Sequence, residues 1–229
     1  SREQTMRNIL TRVQFENAIC LDFEGEGPGL SGPDRCKLPY LAGIYTPKSE
    51  KRSGSYQLIC FRDHWRPVAN GLGGTVTDFN EYFSQLAQVL ETNRAHLIYW
   101  SVYEEEVLGR YLGLDSDILG RLHPWLYNLK LDMKPYRARR IRYGEEFSVK
   151  DNRLVTWHAA LHPQKKEPAS LDVGAAETCR RLDRACARHK RWRHFSEREK
   201  AYARNLITYN RGDCLMVARI ARKVVNVLN

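Results

Sequence analysis

The segment Ile19–Gly27 most constrains the fold, because it places two carboxylates one position apart in an apolar run that ends in glycines. Side chains alternate between the faces of a strand, so Asp22 and Glu24 share one face while Leu21 and Phe23 share the other. Two adjacent carboxylates in a dry setting repel and tend to take up a proton, unless a cation lies between them. A divalent metal ion is the commonest such cation for oxygen ligands. The segment therefore predicts a metal-binding strand, and the alternative is a strand at a solvated edge.

Hydrophobic patterns in the rest of the chain predict an α/β fold. The predicted strands are at 38–45, 56–61, 96–100 and 129–132, and the predicted helices begin at Asp78 and span 102–112, 175–190 and about 196–227. A glycine- and proline-rich loop at 25–39 and a polar turn at 48–54 separate the first three strands, which favours an antiparallel meander. Alternation of the later strands with helices favours parallel pairing with crossover connections. We therefore expect a mixed central sheet flanked by helices.

The balance of charge is basic, with 37 Lys and Arg against 27 Asp and Glu and a formal net charge of +10. Such an excess favours a polyanionic partner, with nucleic acid as the first candidate and an anionic membrane as the second. Two basic runs, at 134–142 and 180–198, lie beside aromatic residues and suit phosphate contact and base stacking, although a solvated face is the alternative. The candidate nucleic-acid-binding residues are Lys134, Arg137, Arg139, Arg140 and Lys150.

A chain of 229 residues has the length of one larger domain. Residues 1–16 are polar and basic and are interpreted as an N-terminal linker or extension, which places the domain at 17–229. No apolar run approaches the length of a membrane-spanning helix, and the first 14 residues lack the apolar region of a signal peptide. The six cysteines form no CxxC pair, which favours reduced thiols. We expect a cytoplasmic protein without a membrane partner. A role as one part of a longer chain or of an assembly with other nucleic-acid-processing domains is left open.

Two predicted helices carry a carboxylate on their apolar faces. Asp213 lies in the middle of the apolar stripe of the last helix, where Leu206 and Val217 continue the pattern at helical spacing. In helix 102–112, Glu104 points close to the centre of the apolar face. Burying an unpaired carboxylate costs several kcal/mol, against a net domain stability of about 5–15 kcal/mol. Each of these carboxylates therefore requires a partner.

One cage of oxygen ligands for two divalent cations explains all four carboxylates. The candidate metal ligands are Asp22, Glu24, Glu104 and Asp213. Two cations held in this way suit phosphodiester hydrolysis. Tyr209 lies one helical turn before Asp213 and is the remaining candidate catalytic residue, with a core tyrosine as the alternative. The alternative for the carboxylates is that each pairs with an arginine.

The order of these motifs resembles that of the DEDD, or DnaQ-like, exonucleases of the ribonuclease H-like superfamily. The motifs are Asp22-x-Glu24, Tyr103-Glu104 and Tyr209-x-x-x-Asp213. Tyr209-Asn210-Arg211-Gly212-Asp213 is similar to the last motif of the YprB-type exonuclease domain, and the likeness covers about residues 17–228. Two features depart from the family pattern: Glu104 stands where proofreading exonucleases carry Asp, and the segment 180–198 has no counterpart that we can assign.

The resemblance implies a ribonuclease H-like fold and a 3′–5′ exonuclease acting on DNA or RNA. It also implies two Mg²⁺ or Mn²⁺ ions at the four carboxylates, with Tyr209 orienting or deprotonating the water that attacks the terminal phosphodiester. The alternative is a catalytically silent nucleic-acid-binding or interaction module with the same fold. Retention of all four carboxylates favours the nuclease.

Overall fold

The computed structural model of the protein describes residues 10–26, 37–48, 53–145, 147–165 and 170–228. Its elements are α1 (Arg12–Glu16), β1 (Ile19–Glu24), β2 (Leu41–Thr46), β3 (Ser55–Cys60), α2 (Arg66–Leu72), β4 (Thr75–Val76), α3 (Phe79–Asn93), β5 (Leu97–Tyr99), α4 (Val102–Leu112), α5 (Asp117–Leu122), β6 (Leu126–Asn128), α6 (Met133–Arg142), α7 (Leu154–Leu161), α8 (Ala175–Arg188) and α9 (Glu197–Leu228). Parts of three predicted segments lie outside the described residues: 1–9 of the N-terminal extension, 27–36 of the first loop and 49–52 of the polar turn.

The six strands form one mixed sheet in the order β4-β3-β2-β1-β5-β6. Strands β1, β2 and β3 are antiparallel neighbours, whereas β5 is parallel to β1 and β6 is parallel to β5. The short strand β4 adds to the other edge, parallel to β3. The predicted α/β fold, with an antiparallel meander continued by parallel strands, is confirmed at this level. The carboxyl ends of β1, β5 and β6 consequently meet at one edge of the sheet.

Strand β1 alternates as its sequence predicts, with Ile19, Leu21 and Phe23 in the core between the sheet and helices α3, α4 and α5. The opposite face of the sheet is covered by α9, a helix of 32 residues. The first half of α9 packs into a core shared with α2 and α8, and its second half packs into another core shared with α1, α6 and α7. The middle of α9 therefore lies between two apolar cores, above the centre of the sheet.

Two helix starts and one break match their sequence signals. At the start of α9, Ser196 and Glu199 form the predicted capping box, because each accepts a backbone N–H of the other. Asp78 caps α3 by accepting the backbone N–H of Glu81 at 3.0 Å. The predicted break at residues 71–74 falls at the end of α2, where Gly73 has a φ of 72°.

The strand predicted at 129–132 is wrong. The strand at this place is β6 (Leu126–Asn128), and Leu129–Asp132 form a 3₁₀ turn that leads into α6. The buried residues of this segment are Leu129, Asp132, Met133 and Tyr136, a helical rather than an alternating spacing. The Asp132 carboxylate also accepts a hydrogen bond from the Tyr127 hydroxyl, which links the 3₁₀ turn to β6.

Residues at the N-terminus of the described chain pack against α9. Helix α1 is capped by Thr11, and Phe15 is buried with the second half of α9. The five cysteines within the described ranges are free and buried. Across those same ranges, none of the helices combines the length and the hydropathy that a membrane span requires.

Candidate active site

Strand β1 carries the first two candidate ligands on the face that α9 covers. Because Leu21 and Phe23 point into the other core, Asp22 and Glu24 point toward α9. Glu24 is 5% exposed and Asp22 is half-buried. Asp22 lies opposite Gly43 in the register of β1 and β2. Because β1 has a neighbouring strand on each side, the acidic strand is an inner strand of the sheet and does not lie at a solvated edge.

Gly43 lets the middle of α9 approach the sheet closely. A Cβ atom at this position would overlap the Asn210 side-chain oxygen and would lie 3.0 Å from Cys214 Sγ. Cys214 Sγ contacts the carbonyl oxygen of Gly43 at 3.4 Å. Contact this close brings the side chains of α9 within hydrogen-bonding distance of Asp22.

Asn210 joins the strand carboxylates to α9. Its Nδ2 donates to the Asp22 carboxylate at 2.6 Å and to the Asp22 carbonyl oxygen at 3.2 Å, and it lies 3.4 Å from Glu24 Oε1. Its Oδ1 accepts the Tyr56 hydroxyl at 2.7 Å. Asn210 is fully buried, and every polar atom of its side chain has a partner. The amide therefore fixes the positions of both carboxylates relative to α9.

Three carboxylates converge at this point. One oxygen from each of Asp22, Glu24 and Asp213 lies within 4.8 Å of the others. A donor set made only of carboxylate oxygens fits hard cations such as Mg²⁺ and Mn²⁺ better than softer metals. The residues present thus fit the divalent cations that the resemblance implies.

The electrostatics of the cluster favour protons or cations. Burial, with Asp213 as the next cause, raises the pKa of Glu24 to about 8. Burial likewise raises the pKa of Asp213 to about 7. The pKa of Asp22 is raised well above its ordinary range by burial and by the charges of Glu24 and Asp213. Among the described residues, no lysine or arginine forms an ion pair with these carboxylates, so the arginine-pair alternative is not observed there.

Glu104 lies near the cluster but outside its tight group. It is 4% exposed and completes the capping box of α4, accepting the Ser101 backbone N–H at 3.1 Å and the Ser101 hydroxyl at 2.7 Å. Its charge contributes to the raised pKa values of Asp22 and Asp213, and burial raises its own pKa to about 7. The capping box gives Glu104 a structural role of its own. Its role as a metal ligand stays a prediction.

Tyr209 lies beside Asp213 at the mouth of a cleft. Tyr209 lies one helical turn before Asp213 on α9, and burial, with the charge of Asp213 as the next cause, raises the pKa of the phenol above its ordinary value. The cleft has a volume of about 560 Å³. Its lining residues are Trp100, Lys130, Asn152, Arg153, Leu154, Val155, Ser170, Tyr209, Asp213 and Met216. A ligand in this cleft would reach Tyr209 and Asp213 from solvent.

The predicted basic run at 134–142 lies in α6, and its Arg139 contacts the far end of α9 and not the carboxylates. Arg139 donates to the carbonyl oxygen of Leu228 at 2.8 Å, and Leu228 lies 15 residues beyond Asp213 on α9, or about 22 Å along the helix. Arg140 is paired with Glu145. Lys134, Arg137 and Lys150 are exposed, and none of these five predicted residues lines the cleft beside Asp213.

Sequence reasoning did not assign a site role to Asn210, Tyr56 or Gly43. Asn210 could have been found from its position one helical turn before Asp213, on the side of α9 that faces the sheet. Gly43, in the middle of a predicted strand, is a signal for close approach of another backbone. Nothing local marks Tyr56, because its partner Asn210 is 154 residues away in sequence.

The fold and the site together define a class: an α/β protein with a mixed sheet whose central strand and longest helix bring three carboxylates together beneath an open cleft. Comparisons of the chain with family models, with curated proteins and with solved structures found no match. The assignment of function therefore depends on the chemistry of the site and on the motif resemblance described above.

Proposed function

We propose that the protein is a metal-dependent nuclease that hydrolyses phosphodiester bonds of DNA or RNA, acting as a 3′–5′ exonuclease of the ribonuclease H-like type. The observation that carries the proposal is the convergence of Asp22, Glu24 and Asp213 within 4.8 Å, next to Tyr209 and an open cleft. Clustered buried carboxylates destabilise a fold that has no use for them, since each unpaired charge costs several kcal/mol.

The sheet topology supports the family part of the proposal. An antiparallel meander β1-β2-β3, followed by β5 and β6 parallel to β1, is compatible with a ribonuclease H-like fold. The acidic strand is the central one in this arrangement, and the last long helix crosses it. Both positions agree with the motif order from which the resemblance was drawn.

Asp22, Glu24 and Asp213 would hold the divalent cations, with Glu104 as the fourth predicted ligand. When bound, two such cations stabilise the attacking and leaving oxygens of a phosphodiester during in-line displacement. Asn210 holds the two strand carboxylates in place while they ligate, because its amide already donates to both. Tyr56 in turn fixes the orientation of that amide.

Tyr209 would orient the attacking water or accept its proton. Tyr209 and Asp213 both line the cleft, so the tyrosine lies beside a proposed ligand carboxylate and next to the space open to substrate. Its raised pKa keeps the phenol protonated without cations, which favours orientation by hydrogen bonding over proton abstraction in that state.

End-labelled single-stranded DNA and RNA oligonucleotides, incubated with the purified protein with and without Mn²⁺, test the proposal. We expect metal-dependent shortening from the 3′ end, and loss of that activity in Asp213→Asn. Binding without cleavage, under conditions in which the protein is folded and Mn²⁺ binds, would instead identify a catalytically silent module.

Glu104 is tested against its neighbour on the same helix. Glu104→Gln keeps a side chain that can accept from Ser101 but removes the charge, whereas Glu106→Gln removes a charge from an exposed position. If Glu104 is a ligand, only the first change weakens Mn²⁺ binding measured by calorimetry. Equal binding in both variants would limit Glu104 to its capping role.

A further inference from the structure

The positive charge of the protein is concentrated on α8, the first half of α9 and their connection. Residues 175–211 contain eleven Lys and Arg but only four Asp and Glu, which gives a formal charge of +7 out of the +10 of the whole chain. A solvated surface without a ligand usually mixes charges of both signs. This segment therefore has an excess of cations that internal pairing cannot neutralise.

Each of the four acidic residues of the segment already contacts one or more side chains that donate to it. Glu177 pairs with three arginines, Arg180, Arg181 and Arg184. Glu199 pairs with Arg188 and also caps α9. Asp183 accepts from His64 and Trp65, and Glu197 pairs with Lys200. Within the described residues, Lys190, Arg191, Arg193, Arg198, Arg204 and Arg211 have no carboxylate partner.

Two of the arginines converge on one phenol oxygen. Arg181 Nη1 donates to the Tyr202 hydroxyl at 2.6 Å, and Arg198 Nε donates to the same oxygen at 3.0 Å. Both guanidinium groups also lie near the Tyr202 ring, at 5.3 and 5.6 Å from its centroid. We call Arg181, Arg198 and Tyr202 the Arg–Tyr–Arg cluster. It holds two cations side by side, and only Arg181 has a carboxylate partner among the described residues.

Arg198 occupies a position in α9 where a positive charge is electrostatically unfavourable. It lies in the first turn of α9, where the positive end of the helix dipole favours acidic residues. A guanidinium group has five N–H donors, and Arg198 uses one of them on Tyr202. Its planar fork matches the geometry of a phosphate group. Each of these features is accounted for by an anion bound at the cluster.

The cluster lies on the same side of α9 as the active-site residues. Arg198, Tyr202, Tyr209 and Asp213 follow one another at spacings of four, seven and four residues, which places them along one face of the helix. Tyr202 lies eleven residues before Asp213, or about 16 Å along the helix axis. A polyanionic strand that reaches Asp213 could therefore also reach the cluster.

We infer that the Arg–Tyr–Arg cluster binds a backbone phosphate of a single-stranded nucleic acid, at a distance from the bond that is cleaved. This inference rests on the proposed function for the identity of the polyanion. The strand would contact α8 and α9 through its phosphates, which hold it in position without reading its sequence.

The test is the salt dependence of binding to a fluorescent oligo(dT) strand of about 15 nucleotides, a length that suits one single-strand binding site. Measurement in EDTA prevents cleavage, so the result does not depend on catalysis. Each phosphate contact on a single strand adds about 0.7 to the slope of log K against log salt. The double variant Arg181→Gln/Arg198→Gln should reduce the slope by about 1.4 and weaken binding at 0.1 M salt by roughly 25-fold.

The matched control is Arg94→Gln/Arg110→Gln, which removes the same charge from exposed positions on α4 and after α3, across the sheet from α9. Its slope should equal that of the unchanged protein. Arg198→Gln alone leaves the Arg181–Glu177 pair intact and should lose about 0.7 of slope, so the inference stays testable if the double variant unfolds. An unchanged slope in Arg198→Gln, or an equal loss in the control, would overturn the inference. Absence of metal-dependent cleavage by the unchanged protein, together with the expected loss of slope in Arg198→Gln, would count against the nuclease and not against the cluster.

Discussion

Asn210 is the residue on which the arrangement of the site carboxylates depends. Asp22 and Glu24 repel each other and cannot hold their positions alone, whereas one amide donates to both and is itself held by Tyr56. An amide is suited to this task because it supplies donors without a charge. A positive side chain in its place would compete with cations for the carboxylates.

Replacing Asn210 by Asp should reverse its effect at nearly constant volume. Asn210→Asp places a further carboxylate against Asp22 and Glu24, so we expect the metal-free protein to lose about 3 kcal/mol of stability. Mn²⁺ should restore part of this loss, because the added charge also attracts cations. Urea unfolding with EDTA and with Mn²⁺ measures both effects. Equal stability of the variant and the unchanged protein in EDTA would mean that the amide does not hold the site.

Tyr209→Phe should separate a catalytic tyrosine from a core tyrosine. It removes one hydroxyl and leaves the ring, so folding and metal binding should change little. Single-turnover cleavage should slow by roughly 10²–10⁴ if the hydroxyl acts as a general base, and by less if it only orients water. Tyr143→Phe, at a position 69% exposed, is the control. Full activity in Tyr209→Phe would remove the role assigned to this residue, and a loss of stability alone would identify a core residue.

At the scale of elements, α9 and β2 determine whether the site forms. Helix α9 is anchored in separate cores on either side of the site, and its middle rests on Gly43. The position of Asn210 and Asp213 above Asp22 is therefore set by the contact between a helix and a glycine.

Gly43→Ala should displace α9 from the sheet, because the new methyl group would overlap the Asn210 side chain. We expect a loss of about 1–3 kcal/mol, typical of an overpacked core, together with a weaker response to Mn²⁺. The control is Gly120→Ala within α5, where a Cβ meets nothing within 4 Å. That change should stabilise the protein by roughly 0.5–1 kcal/mol. Retention of the full metal response in Gly43→Ala would show that the close contact is not needed for the site.

Strand β1 and helix α9 could be predicted from sequence because each carries a carboxylate in an otherwise regular apolar pattern. Asp22 and Asp213 are charged residues at positions where the pattern of the element predicts a buried side chain, while the residues around them keep the periodicity of a strand or a helix. Strand β6 could not be located in this way: β5 is equally short but is a continuous apolar run, Leu97–Tyr99, whereas β6 ends in the polar Asn128 and is followed by the apolar residues Leu129 and Leu131, which moved the predicted strand three residues too late. The contact of Tyr56 with Asn210 was equally out of reach, because it depends on how β3 and α9 are placed in space.

At the scale of the whole molecule, we expect the carboxylate cluster to couple folding to protons and to the proposed cations. The folded state raises the pKa of Glu24 to about 8 and that of Asp213 to about 7, so between about pH 4 and pH 8 it binds more protons than the unfolded chain. The stability that these two carboxyl groups contribute should therefore be greatest at the low end of this range and fall as pH rises through it. Burial also lowers the pKa of His158 to about 4, which acts in the opposite direction below pH 6.5.

Melting temperature measured against pH, with EDTA and with Mn²⁺, tests this coupling. In EDTA the melting temperature should fall by roughly 5 °C between pH 6 and pH 8. At pH 8, a cation at about 100 times its Kd should raise the free energy of unfolding by about 2.7 kcal/mol, which corresponds to roughly 5–10 °C in melting temperature. His158 contributes equally to both curves, so their difference isolates the carboxylates. Asp213→Asn should abolish the difference. A cation effect that persists in this variant would place the metal elsewhere.

The long separation of Asp22 from Asn210, 188 residues in sequence, also matters while the chain is being made. At about 5–20 residues per second, β1 leaves the ribosome roughly 10–40 s before the middle of α9. Strands β1, β2 and β5 can pair during this interval, but the sheet face beneath α9 stays uncovered. Two hydrated carboxylates at the centre of that face keep it from resembling an apolar surface, in the way that gatekeeper charges protect exposed strands. The residues proposed to hold cations in the finished protein would thus protect the nascent chain from association.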